Sequence, residues 1–202
     1  MRADNEETQK TMQRNIIIAG VGGQGILTIA SIIDLAAMSL NLRVKQAEVH
    51  GMSQRGGAVE SHLRISTEEI YSDLIPLGKA DMILSLEPME SLRYLPFLAP
   101  EGVIVTATEP YENINSYPDK NSLLQHISES ASALLVDAKS IATAAGSAMT
   151  YNVAMLGAAA PYIGLEPAEL EKAITTYFAG KGEKIVETNL IAFRLGLDNT
   201  KK

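Results

Sequence analysis

NIIIAGVGGQGILTIASIIDLAAMSL, residues 15–40, is the most informative stretch of the chain. Its opening is short, β-branched at Ile16, Ile17 and Ile18, and followed at once by glycines. Those features describe a strand buried on both faces, as in a parallel sheet. Gly20, Gly22, Gly23 and Gly25 then turn the chain, and residues 26–40 read as a helix apolar over most of its surface, hence packed on a sheet. Strand, glycine turn and helix make the first unit of an α/β domain.

Outward from that unit, residues 42–49 give a second strand and residues 58–65 alternate apolar with polar, the period of a half-exposed strand. Residues 81–86 are a further buried strand. Residues 89–98 are expected to be helical up to Pro100, with strands at 103–107 and 134–136 and a polar stretch at 110–133 left unassigned. Helices are expected at 138–146, at 149–160 with Pro161 as the stop, at 167–178 and at 184–195. The fold class is therefore α/β: a single Rossmann-like domain with a mostly parallel sheet and helices on both faces. Residues 1–14 are polar and expected to form a disordered leader, residues 15–198 the domain, and residues 199–202 a tail.

Gly20-x-Gly22-x-x-Gly25 fits the dinucleotide fingerprint in its expected setting, a strand before it and a helix after it. Glu48 lies 23 residues beyond Gly25, where an acid for a ribose hydroxyl would be wanted. On these residues a nicotinamide or flavin dinucleotide, another phosphate-bearing ligand, and a turn that only packs helix on strand all stand open. No lysine follows Gly25, which disfavours a nucleotide triphosphatase. Gln24 offers a donor and an acceptor inside the tight turn, more than packing requires.

The second unusual stretch follows the second strand. It sets His50, Ser53, Gln54 and Arg55 between Gly51 and the pair Gly56 and Gly57, where open α/β sheets bind ligands. Arg55 suits a phosphate or a carboxylate. His50 and His62 sit on different elements without HxxxH spacing, so no metal site is expected. Ser53 is not in G-x-S-x-G, which argues against a hydrolase. Asn152 faces either a cleft or solvent. The small-residue segment 149–163 suits either the core or a contact with another subunit.

Composition narrows the function. The 202 residues carry a net charge of −7 and no cysteine. No basic excess exists to neutralise nucleic-acid phosphates. Without thiols the chain has no disulfide, thiolate nucleophile or cysteine-ligated iron–sulfur cluster of its own. No apolar run approaches a membrane span, and a cytoplasmic location is expected.

GVGGQGI (residues 20–26) and EVHGMSQRGGAVESHLRIS (residues 48–66) together resemble the gamma-type domain of 2-oxoacid:ferredoxin oxidoreductases. The wording EVHGMSQRGG is that of the indolepyruvate branch, and the likeness extends through Asn152, Leu156, Gly157 and Ala158 to Asn189, Phe193 and Gly196. The resemblance implies an enzyme that converts a 2-oxo acid, coenzyme A and oxidised ferredoxin to acyl-CoA, carbon dioxide and reduced ferredoxin. It implies a hetero-oligomer in which a large alpha subunit holds thiamine diphosphate, magnesium and the iron–sulfur clusters. Coenzyme A would lie near the glycine turn (Gly20, Gly22, Gly23, Gln24, Gly25) and the segment His50, Gly51, Ser53, Gln54, Arg55, Gly56 and Gly57. The alternatives are a stand-alone NAD(P)- or FAD-binding module, or the gamma subunit of a pyruvate, 2-oxoisovalerate or 2-oxoglutarate oxidoreductase.

Overall fold

A computed structural model describes residues 11–50, 56–112 and 116–201. The first strand, β1 (Gln13–Val21), is followed by α1 (Ile26–Ser39), β2 (Arg43–His50), β3 (Ala58–Ser66) and β4 (Ala80–Ser85). Then come α2 (Pro88–Arg93), β5 (Leu98–Ala107), α3 (Lys120–Ser130), β6 (Ser132–Val136), α4 (Ala138–Ala144), α5 (Tyr151–Ile163), α6 (Pro167–Phe178) and α7 (Glu183–Asp198). The six strands form one sheet in the order β2-β3-β1-β4-β5-β6. β1, β4, β5 and β6 pair in parallel, whereas β3 runs antiparallel to both neighbours.

Alternation along β1 explains the layers. Ile16 and Ile18 are fully buried in one cluster with α1, α5, α6 and Phe193 of α7. Ile17 and Ala19 point the other way, into a cluster closed by Leu123 and Ile127 of α3. A central strand covered by helices on both faces requires the continuous apolar run that the sequence carries. The edge strand β2 is polar instead, with Arg43 and Lys45 paired to Glu69 and Asp73. Charged side chains blunt an edge against further pairing.

Four expectations are corrected. β1 begins at Gln13, so Gln13 and Arg14 join the sheet and not a leader, and the Met12 amide before them donates to Thr67 Oγ1 at 3.1 Å. Residues 1–10 lie outside the described residues. The helix before β5 ends at Arg93, because a 3-10 turn at Leu95–Phe97 takes up Pro96 and the chain enters the strand at Leu98. The unassigned polar stretch contains α3, capped by the Asp119 side chain accepting from the Ser122 amide at 3.0 Å. α5 passes through Pro161 to Ile163, where Gly164 at φ 83° ends it. Proline removes one amide donor, tolerable in a last turn whose Ile163 is buried. Among the described residues no helix is long and apolar enough to cross a membrane.

Candidate functional site

β1 and β4 end side by side, and the chain leaves them toward opposite faces, α1 to one and α2 to the other. Ligands of open α/β sheets bind in the crevice that such a divergence opens. The glycine turn occupies it. A Cβ on Gly20 would stand 2.7 Å from Gln24 Oε1, so only glycine admits that side chain. Gln24 Oε1 accepts from the Val21 amide at 2.8 Å, and its Nε2 donates to the Leu86 carbonyl at 3.2 Å. The amide that looked free for a ligand thus joins the ends of β1 and β4.

The Gly22 amide donates to the Gly57 carbonyl at 2.9 Å. The two glycine-bearing segments singled out in the sequence therefore meet at Gly22 and Gly57. Of the second segment, Gly51, Ser53, Gln54 and Arg55 lie outside the described residues, as does the His50 side chain. His62 is a core residue: its Nδ1 accepts from the Ile75 amide at 3.1 Å and its ring packs edge-on against Phe97. Burial holds its pKa below the ordinary histidine value.

Gly25 stands just before α1 at φ 85°, and no side chain caps the helix. Its carbonyl accepts from Asn152 Nδ2 at 3.3 Å. Asn152 is buried and faces the cleft, which resolves its two readings. The rest of α5 from Val153 to Ala160 is also buried, so that segment is core.

A cleft of about 750 Å³ opens in front of the turn. Gly23, Gly25 and Thr28 line one side, Ser147 to Asn152 a second, and Lys181, Lys184, Thr188 and Asn189 the third. Two more glycines bring the third wall in. A Cβ on Gly157 would lie 2.0 Å from the Phe193 carbonyl oxygen, and one on Gly196 would lie 2.1 Å from that of Ala154. α5 and α7 thus cross with their backbones in contact, which carries the start of α7 up to the turn.

Lys181 and Lys184 escape a reading of local sequence. One signal was available for Lys184: lysine in the first turn of α7 faces the positive end of the macrodipole, an unfavourable place unless an anion joins it. Among the described residues neither lysine pairs with a carboxylate; Lys181 Nζ lies 5.2 Å from the Phe178 ring centre.

On the far side of the crevice, buried Glu87 follows β4. It caps α2 by accepting from the Glu90 amide at 2.9 Å. Its other oxygen accepts from the Tyr111 amide at 3.3 Å and from the Tyr117 hydroxyl. Burial, together with that bond, pushes the Tyr117 pKa up, and burial does the same to Tyr151, helped by Glu109. Both phenols are donors at neutral pH. Tyr151 donates to the Leu86 carbonyl at 3.1 Å.

Glu48 does not serve the ribose role of a dinucleotide fold. β3 lies between β2 and β1, which sets the acid one strand spacing, about 4.8 Å, further from the turn than adjacent strands would. The dinucleotide alternative is not favoured.

Residues 15–199 match the pyruvate ferredoxin/flavodoxin oxidoreductase family. The indolepyruvate oxidoreductase subunit IorB of Methanothermobacter thermautotrophicus is 37% identical over 192 residues, 92% of this chain and 96% of the relative. The pyruvate/ketoisovalerate oxidoreductases common subunit gamma of Pyrococcus furiosus is 30% identical over 170 residues, 82% of this chain and 87% of that one. The keto/oxoacid ferredoxin oxidoreductase gamma subunit of Geobacter sulfurreducens superposes with a TM-score of 0.67 at 24% identity, over 93% of this chain and 98% of that one. The 2-oxoglutarate:ferredoxin oxidoreductase of Magnetococcus marinus, solved with 2-oxoglutarate, coenzyme A and succinyl-CoA bound, gives a TM-score of 0.75 at 23% identity, over 94% of this chain and 31% of that longer one. The chain belongs to the pyruvate ferredoxin/flavodoxin oxidoreductase family, as a gamma-type domain of the 2-oxoacid oxidoreductases.

Proposed function

We propose that the chain is the small subunit of an indolepyruvate-type oxidoreductase and that its cleft holds the phosphates of coenzyme A. The reaction takes a 2-oxo acid, coenzyme A and oxidised ferredoxin to acyl-CoA, carbon dioxide and reduced ferredoxin. Thiamine diphosphate, magnesium and iron–sulfur clusters are assigned to a large partner subunit, where they supply carbanion and electron-transfer chemistry. The absence of cysteine from all 202 residues supports that division, since this chain has no thiolate with which to ligate a cluster.

The observation that carries the ligand reading is the pairing of Lys181 and Lys184 with an uncapped helix start across one cleft. The first amides of α1 have no intrahelical acceptor, and the helix dipole favours negative charge beside them. Two ammonium groups opposite make the cleft cationic inside an acidic protein. Gly23, where a Cβ would meet nothing within 4 Å, keeps the backbone open to approach. Such a site orients an anionic ligand and leaves bond-making to groups beyond this chain.

The oxidoreductase reconstituted with its large subunit tests this reading. The Lys181→Ala, Lys184→Ala double variant should raise the KM for coenzyme A at least tenfold, about 1.4 kcal/mol, while the KM for the 2-oxo acid stays unchanged. An unchanged KM for coenzyme A would overturn it. So would full 2-oxo acid oxidation by the small subunit alone.

A further inference from the structure

α1 carries apolar residues on its outer face as well as its inner one. Ile29, Ala30, Ile32, Ile33, Ala36 and Ala37 are buried against the sheet, α5 and α6. Leu27, Leu35 and Met38 point the other way, 40%, 37% and 62% exposed, with half-buried Ser31 among them. At 3.6 residues per turn these four positions share an arc of about 80°, and they extend about 16 Å along the axis. Asp34 is the only charged residue of the helix's 14. A helix facing water ordinarily turns charge outward. α6 and α7, on the same side of the sheet, do so: Lys172 of one is exposed, as are Glu183, Glu187 and Arg194 of the other. α1 does not.

Composition and position together indicate what covers this face. Residues 1–10, 51–55 and 113–115, outside the described residues, contain one large apolar side chain each, Met1, Met52 and Ile114. None of those segments has an apolar face to lay on the stripe. Leu27 stands in the first turn of α1, where Gly23, Gly25 and Thr28 beside it line the lysine cleft. The stripe therefore starts at the cleft mouth and leads away from it. This chain has no thiolate to hold a cluster, so the groups that react with a ligand in the cleft belong to the large subunit and must reach that mouth. Depletion of charge around exposed apolar residues, methionine among them, is the composition of an interface core.

We propose that the outer face of α1, formed by Leu27, Ser31, Leu35 and Met38, is the surface on which the large subunit docks. This assignment rests on the small-subunit reading given above and adds the place of contact to it. Docking there removes the stripe from water and sets the large subunit against the mouth of the cleft.

Calorimetric titration of the small subunit with the large subunit tests the docking face. Met38→Glu and Met38→Lys should each weaken association by about 100-fold, because either charge would be buried without a partner. Alone, both variants should melt within about 2 °C of wild type, since Met38 is mostly exposed. Met38→Leu should keep the wild-type affinity. So should Leu77→Glu, which alters an exposed leucine just before β4, at the end of the sheet away from the cleft. Wild-type affinity in Met38→Glu, a loss confined to one sign of charge, or an equal loss in Leu77→Glu overturns the proposal. Sedimentation showing the small subunit alone as a dimer that Met38→Glu dissociates overturns it too, by giving the face to a second copy. The KM for coenzyme A of the complex that still assembles should stay at the wild-type value in the Met38 variants, whereas the double lysine variant assembles normally and raises it. If the Met38 variants associate normally, that lysine effect leaves the cleft reading standing. No association of the wild-type subunits would remove both.

Discussion

Gly25→Ala is the sharpest perturbation of the glycine turn, because Gly23 supplies its control. Both residues have positive φ, 85° at Gly25 and 103° at Gly23. Alanine at either position carries left-handed strain of about 1–2 kcal/mol. The space around them differs. A Cβ at Gly23 meets nothing within 4 Å, whereas one at Gly25 would stand 2.4 Å from Asn152 Nδ2. That side chain is buried and bonded to the Gly25 carbonyl, so it cannot swing away without losing the bond. Overpacking of this kind adds about 1–3 kcal/mol. Gly23→Ala should therefore cost about 1–2 kcal/mol and Gly25→Ala about 2–5 kcal/mol. For a chain of this size each kcal/mol lowers Tm by about 2–4 °C. Calorimetry on both variants, and on Gly25→Ala combined with Asn152→Ala, measures the difference. The double variant should lose less stability than the sum of the single ones, since removing the amide removes the clash. Equal Tm losses at Gly23 and Gly25, or strict additivity in the cycle, would refute the steric account.

Two further predictions concern stability. Burial, with Glu48 adding to it, pushes the Asp34 carboxyl from the usual 3.8 up to about 6, and its Oδ1 has no hydrogen-bond partner among the described residues. The native state then holds this proton more tightly than the unfolded chain, so the residue's contribution to stability falls as pH rises from about 4 to 6. Asp34→Asn should stabilise the protein by about 1–2 kcal/mol at pH 7.5, the larger linkage value being reduced for solvent screening, and the gain should vanish near pH 4. Urea unfolding at both pH values checks it; a gain of the same size at each would contradict the linkage. Gly157→Ala and Gly196→Ala each drive a methyl group into a facing carbonyl of the α5–α7 crossing. Each should cost more than 3 kcal/mol and also weaken coenzyme A binding in whatever folds, because α7 carries Lys184. Thermal melts within 2 °C of wild type would show that the helices can separate freely.

Much of this arrangement was legible because it is local. The β-branched run of β1, the glycines behind it and the apolar helix after them each favour one backbone conformation, and α6 falls at residues 167–178 as its proline start indicates. α3 was not legible, because only Leu123 and Ile127 of its residues are buried and its stability comes from the sheet it covers. Gln24 was legible as unusual but not in its role, since the Leu86 carbonyl it bonds lies 62 residues away.

The strand–turn–helix unit, the family-specific wording of the two glycine segments and the absence of thiols are written in the residues themselves. Those follow from residue type and short spacing alone. Packing in three dimensions set β3 between β2 and β1, let α7 close on α5 at Gly157 and Gly196, and brought Lys181 and Lys184 to face the turn at Gly25. Strand pairing and helix crossing are choices among distant partners. They are made by the burial of whole faces, which no short stretch of residues contains.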